Sequence, residues 1–211
     1  MDPAETRVLA VRSVGPDAVA IDLATPDGFE AAPGQFVKLS ATVDGGTESR
    51  FYTISSRDVT DRFEITVEAD PEGTLAPALL DAEPGDVVTI AGPFGQEYYD
   101  GEASVLVLAG GPGVGPAVGI AEAALADGNE VGVVYADDEP LHEPRLAAAA
   151  AGGARIVTIG ADGDLAAAVE AVLAGDEQVF VYGFADFIGD ATDALAAAGG
   201  DPSAAKIENF G

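Results

Sequence analysis

The sequence predicts two domains, an N-terminal six-stranded antiparallel β-barrel followed by a doubly wound parallel α/β domain. Up to about residue 100, short runs rich in valine, isoleucine, phenylalanine and threonine are separated by turn signals, which is typical of barrels and sandwiches. Beyond about residue 103, apolar strands alternate with helical stretches, which indicates a parallel sheet with helices on both faces. The polar segment Asp100-Gly101-Glu102 places the domain boundary between residues 1–101 and 102–211.

The individual elements follow from these patterns. In the first domain, strands are predicted at residues 7–14, 19–23, 35–41, 50–56, 63–68 and 86–91, a short helix at 75–80, and turns that include Asp70-Pro71-Glu72-Gly73. In the second, strands are predicted at 104–109, 130–135, 155–159, 178–182 and 205–208, with helices at 115–126, 144–151, 165–174 and 186–197. The first strand of the second domain is apolar throughout, as buried parallel strands are.

The charge of the chain is far from neutral. There are 37 acidic and 9 basic residues, a formal net charge of −28, and only Lys38 and Lys206 are lysines. Hydrophobic residues make up 48% of the chain, which argues against disorder. Self-repulsion weakens such a compact state in dilute buffer, whereas at molar salt the Debye length falls to ~3 Å. The composition predicts a cytoplasmic protein adapted to high salt, with an ordinary acidic protein as the alternative, and disfavours nucleic acid as a partner.

Several classes of protein are disfavoured by what the sequence lacks. There is no cysteine, so the chain has no disulfides or cysteine-ligated iron–sulfur clusters, and no metal site is predicted. The first residues lack the basic region and apolar run of a signal peptide. The uncharged stretch 103–121 is nearly long enough to span a membrane. Its clustered glycines and prolines indicate instead a strand, a turn and a helix start, so no membrane span is predicted.

The segment Arg50-Phe51-Tyr52-Thr53-Ile54-Ser55-Ser56 is the first candidate site. Strand alternation predicts that the side chains at 50, 52, 54 and 56 share one face. Tyr52 can stack on an isoalloxazine ring and Arg50 can pair with phosphate, while Thr53 and main-chain groups can hydrogen-bond the ring edge. A flavin nucleotide has both an anionic and a planar part, so this segment predicts a flavin site. The alternative is an amphipathic strand with its polar face in water.

The segment Gly110-Gly111-Pro112-Gly113-Val114-Gly115-Pro116 is the second candidate site. It follows a predicted strand and opens a predicted helix, where glycine lets the backbone approach an anion and the helix N-terminus supplies free N–H groups. Pro116 suits the first helical turn. The segment predicts a phosphate cradle, with a tight turn that binds nothing as the alternative. Its spacing is neither that of a P-loop nor G-x-G-x-x-G.

The two segments, in this order, resemble motifs of the ferredoxin–NADP reductase family of flavoproteins. RFYTISS matches R-x-Y-[ST]-x-x-S, and G-G-P-G-V-G-P matches G-G-x-G-x-x-P, which binds nicotinamide dinucleotide in that family. Further resemblances, in chain order, are residues 33–37 to P-G-Q-[FY]-[VL], 73–79 to the turn and helix that hold flavin pyrophosphate, 85–86 and 92–95 to G-D and G-P-x-G, and 207–211 to the closing E-x-F-G. The resemblance covers essentially the whole chain and implies that FAD and NADH (or NADPH) are the cofactors.

The motifs and the resemblance together select the candidate site residues. Cofactor binding is assigned to Arg50, Phe51, Tyr52, Thr53, Ser56, Gly73, Thr74, Leu75, Ala76, Gly110, Gly111, Gly113, Val114, Pro116, Asp137, Tyr182, Gly183, Phe184 and Phe210. Tyr52, Thr53 and Glu208 are the candidate catalytic residues. By resemblance, Glu208 serves proton transfer or nicotinamide positioning, with a surface acid as the alternative, and Phe210 packs on the flavin or anchors the C-terminus.

The sequence departs from the family's pattern in two segments. Tyr182-Gly183-Phe184 stands where C-G-P is usual, and Ala76 replaces a serine in the pyrophosphate turn. Hydride transfer between nicotinamide C4 and flavin N5 requires no protein nucleophile, so function can survive through alignment and electrostatics.

The nucleotide preference is predicted from Asp137, Asp138 and Glu139, which follow the second strand of the α/β domain. NADPH-specific members of the family use serine and arginine there, whereas carboxylates repel a 2′-phosphate and can accept a bond from a 2′-hydroxyl. NADH is therefore favoured, and the alternative is that these acids only solvate a loop. His142, the only histidine, lies among polar residues and is expected at the surface without a catalytic role.

The sequence thus predicts an FAD-dependent oxidoreductase that passes hydride from NAD(P)H to the flavin. With no iron–sulfur module in the chain, the electrons are expected to leave for a separate protein such as ferredoxin. A reductase subunit of a multi-component oxygenase or similar complex is one alternative, and a non-catalytic flavin-binding module is another.

Overall fold

The computed structural model describes residues 1–69 and 73–211. The turn expected at Asp70-Pro71-Glu72 lies outside the described residues. Six antiparallel strands are followed by five parallel strands alternating with helices, so the predicted fold class is confirmed. None of the helices in the described ranges is long and apolar enough to cross a membrane.

The first six strands form one antiparallel sheet. They are β1 (Ala4–Gly15), β2 (Ala18–Ala24), β3 (Phe36–Val43), β4 (Gly46–Thr53), β5 (Arg62–Glu68) and β6 (Val87–Phe94), with α1 (Leu75–Leu80) between the last two. Their order in the sheet is β4-β3-β6-β1-β2-β5. An isolated bridge between Ile54 and Ile65 joins the two sheet edges and closes the barrel. Closure leaves no long open edge, which is how small antiparallel sheets avoid unpaired backbone groups.

Alternation along the strands fills the barrel with branched side chains. Ile21, Leu39, Ile65 and Ile90 are fully buried inside it. Helix α1 contributes Leu75 and Leu79 to the same core, because their spacing of four residues puts them on one helix face. Strand β5 is an exception, since its other face also lies under protein. Glu64 and Thr66 on that face are only 8% and 7% exposed.

The second domain is a parallel sheet covered on both faces. Its strands are β7 (Ser104–Gly110), β8 (Glu130–Ala136), β9 (Arg155–Ile159), β10 (Gln178–Gly183) and β11 (Lys206–Asn209), in the order β11-β10-β7-β8-β9. Its helices are α2 (Val114–Ala126), α3 (Glu143–Ala151), α4 (Leu165–Val172) and α5 (Ala185–Ala197). Val105 and Val107 pack toward α2 and α3, whereas Leu106 and Leu108 pack toward α4 and α5. This division into two cores is the doubly wound arrangement.

The strand order locates the crevice of the α/β domain. From β7 the chain builds outward to β8 and β9, and then returns to add β10 and β11 on the other side. Ligands of such sheets bind outside the carboxyl ends of the strands where the order reverses. The glycine segment follows β7 at this point, and Phe184 follows β10.

Helix α2 lies very close to the barrel. A Cβ added to Gly115 would be 2.8 Å from Thr66 Oγ1, and one added to Gly119 would be 2.9 Å from the Ser55 carbonyl oxygen. Glycines four residues apart share a helix face, so together they form the flat surface that the barrel contacts. Part of the glycine segment therefore serves the contact between the domains.

His142 is buried, and its expected surface position is wrong. The residue is 1% exposed and has a left-handed backbone, with φ of 54°. Its Nε2 lies 2.8 Å from Thr66 Oγ1, and its backbone N–H donates to the Val14 carbonyl at 2.8 Å. The polar sequence around it suggested solvent, but the barrel covers this loop. His142 is a contact between the two domains.

Candidate functional site

A cavity of about 410 Å³ lies between the two domains and is here called the aromatic cavity. Strands β4 and β5 and the residues around α1 form its barrel side, and the segments after β7, β10 and β11 form the other. Its lining residues are Arg50, Phe51, Tyr52, Thr53, Thr66, Glu68, Ala69, Gly73, Leu75, Ala76, Pro112, Pro116, Phe184 and Phe210. The structure therefore brings the predicted flavin segment and the predicted nucleotide segment to one space.

Strand β4 supplies the cation of the aromatic cavity. Arg50 is exposed, and its guanidinium donates to the neighbouring Ser49 carbonyl at 3.0 Å. None of the ion pairs within residues 1–69 and 73–211 includes Arg50. The guanidinium can therefore pair with a phosphate in bidentate geometry. Tyr52 packs against the barrel core and also lines the cavity.

Aromatic rings from both domains flank the opening. Phe51 is 62% exposed and makes edge-to-face contacts with Phe36 and Phe94, with ring centroids 5.4 and 6.2 Å apart. Phe184 and Phe210 make a similar contact at 6.0 Å. Clustered, exposed aromatic rings on both sides of a cavity suit a planar ligand or partner, because contact with it removes their apolar surface from water.

Ser56 lies away from the aromatic cavity. Strand β4 ends at Thr53, so the alternation expected over residues 50 to 56 does not continue to Ser56. The Ser56 hydroxyl accepts a hydrogen bond from the Glu64 N–H at 3.1 Å. Thr74 precedes α1 and is exposed, and it too is absent from the cavity lining.

The glycine segment has the predicted context of strand, turn and helix. A single 3-10 turn, Gly111–Gly113, joins β7 to α2. A Cβ on Gly113 would be 2.2 Å from the Tyr182 carbonyl oxygen, and one on Gly110 would be 2.4 Å from the Phe187 ring. These two glycines are required by packing whether or not a ligand binds. Pro112 and Pro116 line the cavity, whereas Gly110, Gly111, Gly113 and Val114 do not.

Tyr182 does not reach the cavity. Its side chain is fully buried, and its hydroxyl donates to the Glu97 carbonyl at 2.7 Å. Burial, followed by the nearby carboxylates, raises the pKa of Tyr182. Gly34 passes so close that a Cβ there would be 2.3 Å from the hydroxyl oxygen. Tyr182 thus joins β10 to the barrel, while Gly183 packs on Phe187 and Phe184 lines the cavity.

Glu208 and Asp137 also lie outside the cavity lining. Glu208 is partly buried beside Gly95, and burial together with the carboxylate of Glu97 raises its pKa. Asp137 accepts hydrogen bonds from the Tyr135 hydroxyl and from the Glu139 N–H, each at 2.9 Å. Both Asp137 oxygens are therefore engaged, although a carboxylate has further lone pairs to offer.

Thr66, Glu68, Ala69 and Pro112 line the cavity but were not predicted from the sequence. Glu68 is the most consequential, because its Oε2 would lie 3.9 Å from a Cβ on Gly111, facing the glycine segment. Burial, followed by the carboxylates of Asp137 and Glu139, raises the pKa of Glu68. Alternation along β5 puts residues 64, 66 and 68 on one polar face, and this pattern is the one in the sequence that could have selected Thr66 and Glu68 as site residues. The sequence does not show that this face meets the other domain.

A second cavity of about 460 Å³, here called the arginine cavity, opens at another part of the domain junction. Arg145 donates to Glu64 at 2.7 Å, to Glu122 at 2.7 and 2.8 Å, and to the Ser55 carbonyl at 2.8 Å. Glu64 also accepts from Arg12 and from the Ser55 hydroxyl. This network connects barrel and α/β domain.

The chemistry of the aromatic cavity fits FAD. Arg50 offers a guanidinium that forms no ion pair with the residues the structure describes, Tyr52 and Phe210 offer aromatic faces, and Thr53 offers a hydroxyl. Within the described ranges, no group of three or more histidine, aspartate or glutamate side chains is arranged to hold a metal ion.

Comparison with known proteins identifies relatives of both domains. Residues 6–99 match the family model of the oxidoreductase FAD-binding domain. The ferredoxin reductase component of 3-ketosteroid-9-alpha-monooxygenase from Mycolicibacterium smegmatis is 32% identical over 145 residues, 63% of this chain and 41% of that protein. An NADPH oxidoreductase from Mycobacterium tuberculosis is 28% identical over 165 residues, 74% of this chain and 42% of that protein. The chain spans about two fifths of the length of these relatives.

Solved structures share the fold over nearly the whole chain. The flavohem-like FAD/NAD-binding domain of nitric oxide dioxygenase from Vibrio cholerae has a TM-score of 0.87 at 21% identity, covering 98% of each chain. A ferredoxin NADP⁺ reductase from Neisseria gonorrhoeae has a TM-score of 0.76 at 17% identity, covering 100% of each chain. Residues 6–99 are therefore similar to oxidoreductase FAD-binding domains, and the chain as a whole shares the two-domain fold of these FAD/NAD-binding structures.

Proposed function

We propose that the protein is an NAD(P)H-dependent flavin oxidoreductase that passes hydride from NAD(P)H to FAD and electrons to a separate protein acceptor such as ferredoxin. One observation carries the proposal: a single cavity is lined by Arg50 to Thr53 of the flavin motif and by Pro112 and Pro116 of the nucleotide motif. Reactants held on opposite walls of one cavity are positioned for direct transfer. In this proposal residues 1–101 hold the flavin and residues 102–211 present the dinucleotide.

The residues of the chain bind and orient rather than react. Arg50 neutralises phosphate charge, Tyr52 stacks on the flavin ring, and Thr53 hydrogen-bonds its edge. Phe184 and Phe210 cover the cavity from the nucleotide side and limit the access of water. Bound FAD supplies the capacity to accept two electrons and release them singly or in pairs.

Glu208 is proposed to donate or accept a proton near the flavin. Its pKa is raised by burial and by Glu97, which brings it nearer to neutral pH, where general acids are most effective. Because Glu208 lies outside the cavity lining, this role requires a water molecule or a small shift of β11. We expect Glu208→Gln to lower the rate of flavin reduction while leaving the affinity for FAD unchanged.

NADH is the proposed donor. Asp137 lies after β8, where its carboxylate repels a 2′-phosphate and retains lone pairs for a 2′-hydroxyl. The measurement is the rate of flavin reduction with NADH and NADPH side by side. A strong preference for NADPH refutes this part of the proposal.

Anaerobic addition of NADH or NADPH to the FAD-loaded protein in high salt tests the main proposal. Bleaching of the flavin absorbance supports a reductase. Absence of bleaching at saturating concentrations of both donors supports a non-catalytic flavin-binding module instead.

A second candidate function keeps the flavin chemistry and changes the acceptor. The relative from Mycolicibacterium smegmatis is a component of a monooxygenase, and another from Pseudomonas putida is the electron transfer component of toluate 1,2-dioxygenase. Stable copurification with an oxygenase component favours this candidate over a freely diffusing ferredoxin.

A cytoplasmic location at high salt is also proposed. The support is the net charge of −28 with only two lysines. We expect the protein to lose compactness in dilute buffer and to regain it when salt is added, because screening removes the self-repulsion. Circular dichroism and scattering across a salt series measure this, and full stability at low salt contradicts it.

A further inference from the structure

The aromatic cavity has an unusual distribution of charge. Among the lining residues that lie within 1–69 and 73–211, Arg50 carries the only positive charge and Glu68 the only negative one. Arg50 belongs to β4 in the flavin motif, whereas Glu68 ends β5 and faces Gly111 of the nucleotide motif. The flavin side therefore offers a cation, while the nucleotide side presents a carboxylate.

The surroundings of Glu68 add further negative charge. Asp137 and Glu139, in the loop after β8, act on Glu68 strongly enough to shift its pKa upward along with burial. The segment from Gly110 to Pro116 carries no charged side chain. The Tyr135 hydroxyl, which also lies near Glu68, is bonded to Asp137. Apart from Arg50, no lysine or arginine in the described part of the chain lines this cavity.

This arrangement has a consequence for a ligand that carries a diphosphate. A dinucleotide bound at the glycine segment places two negative charges near Glu68 without a cationic side chain to offset them. Like charges repel by about 1 kcal/mol at 4 Å in water, and by more where solvent is excluded. Salt screens this repulsion, since the Debye length falls from ~8 Å at 0.15 M to ~3 Å at 1 M.

We propose that Glu68 makes the affinity for the nicotinamide dinucleotide depend on salt, opposing the diphosphate in dilute buffer and permitting it at molar salt. The proposal rests on the proposed function, because it takes the glycine segment as the dinucleotide site. The expected salt dependence is opposite to that of ordinary phosphate sites. Affinity at sites built on lysine and arginine falls as salt rises, whereas affinity for the dinucleotide at this site increases.

The test compares Glu68→Gln with Glu170→Gln, which removes the same charge from an exposed position on α4. The dissociation constant for NAD⁺ is measured by calorimetric titration of the FAD-loaded proteins, and KM is measured for NADH, both from about 0.15 M to about 1 M KCl. Circular dichroism and FAD content establish that each protein remains folded at each salt concentration.

We expect NAD⁺ to bind the wild-type protein and the Glu170→Gln variant more tightly as KCl rises. Glu68→Gln should bind NAD⁺ on the order of fivefold more tightly than wild type at the lowest salt, the effect of one charge pair at about 4 Å in water. Its dependence on salt should be correspondingly flatter, and KM for NADH should follow the same order.

Three results overturn the proposal. They are wild-type affinity for NAD⁺ that falls as salt rises, equal effects of the two substitutions on that affinity, and no measurable NAD⁺ binding at high salt to the wild type or to either variant. Failure of the proposed function is seen separately. In that case NADH and NADPH do not bleach the flavin at any salt concentration, whatever the titrations of NAD⁺ show.

Discussion

The two cavities at the domain junction differ in how far their charged side chains are paired with other groups of the protein. In the arginine cavity, Arg145 is bonded to two carboxylates and a carbonyl, and Glu64 accepts from two arginines and a serine. In the aromatic cavity, the one hydrogen bond of the Arg50 side chain to a described residue is to the carbonyl of its neighbour Ser49, and Glu68 faces a glycine. Both cavities contain residues from both domains.

The contrast indicates that one cavity stabilises the contact between the domains and the other is available to a ligand. Four of the chain's seven arginines line the arginine cavity, where carboxylates of the same chain offset them. Such a network holds two domains together and leaves little charge for a ligand. A charged group without an ionic partner inside a cavity costs free energy unless a ligand of opposite charge binds beside it. The aromatic cavity is therefore the proposed binding site, and the arginine cavity connects the two domains that form it.

Arg145→Ala should have the largest effect on stability. Glu64 and Glu122 would each lose their ion pair with Arg145, and the Glu64 side chain is only 10% exposed. Breaking a buried ion pair from one side costs about 3 kcal/mol or more. Denaturant unfolding in high salt measures the loss.

Arg57→Ala is the matched control for that experiment. It lies at the same cavity, but it pairs with Asp58 where both side chains are more than half exposed. A loss within about 1 kcal/mol is expected. Equal losses for the two substitutions would show that the network does not hold the domains together.

Arg50→Ala should weaken FAD binding by about 1.5 to 3 kcal/mol, the scale of a hydrogen bond to a charged group, with little effect on unfolding of the apoprotein. Fluorescence titration of FAD into the apoprotein provides the measurement, and Arg57→Ala again serves as the control. Unchanged FAD affinity in Arg50→Ala contradicts the assignment of the flavin site.

His142 adds a dependence on pH to the contact between the domains. Burial, and then the charges of Arg145 and Arg12, lower its pKa to about 3. The unfolded chain binds the proton first, so this stability is fully present above about pH 6.5 and is lost as pH falls toward 3. Relative to His142→Gln, the wild type should lose about 1.4 kcal/mol between pH of about 7.5 and 5.5. Parallel unfolding curves for the two proteins across this range would contradict the prediction.

Tyr182→Phe should have the smallest effect, about 1 kcal/mol of stability, because it removes one buried hydrogen bond to the Glu97 carbonyl. Flavin reduction by NADH should stay at the wild-type rate, since the Tyr182 hydroxyl lies outside the aromatic cavity. Tyr98→Phe is the control, as its hydroxyl makes no hydrogen bond within the described residues. A large loss of reduction rate in Tyr182→Phe alone places that hydroxyl in the reaction.

Local patterns were enough to predict the elements of both domains. The strand predicted at residues 155–159 and the helix at 75–80 coincide with β9 and α1. The differences between prediction and structure lie at the ends of elements. Strand β4, predicted at residues 50–56, runs from Gly46 to Thr53, and Ile54 then forms the bridge to Ile65. Alternation identifies a strand, but barrel closure decides where it ends.

The candidate site was predicted in part. Arg50 to Thr53 and Pro116 were selected by motifs and line the aromatic cavity. Tyr182 and Gly113 were selected by the same motifs, yet they pack against other parts of the protein. A motif records which residue types recur together, and it does not distinguish a side chain that meets a ligand from one that supports the backbone nearby.

The sequence by itself determined the two domains, their order and the strand that offers Arg50, because periodicity and turn residues act within a few neighbours along the chain. The tertiary structure alone decided that β5 meets α2, that His142 is buried and that Glu68 faces the glycine segment. These contacts join residues far apart in sequence, where no local preference specifies the partner. Burial and charge pairing between the domains select it.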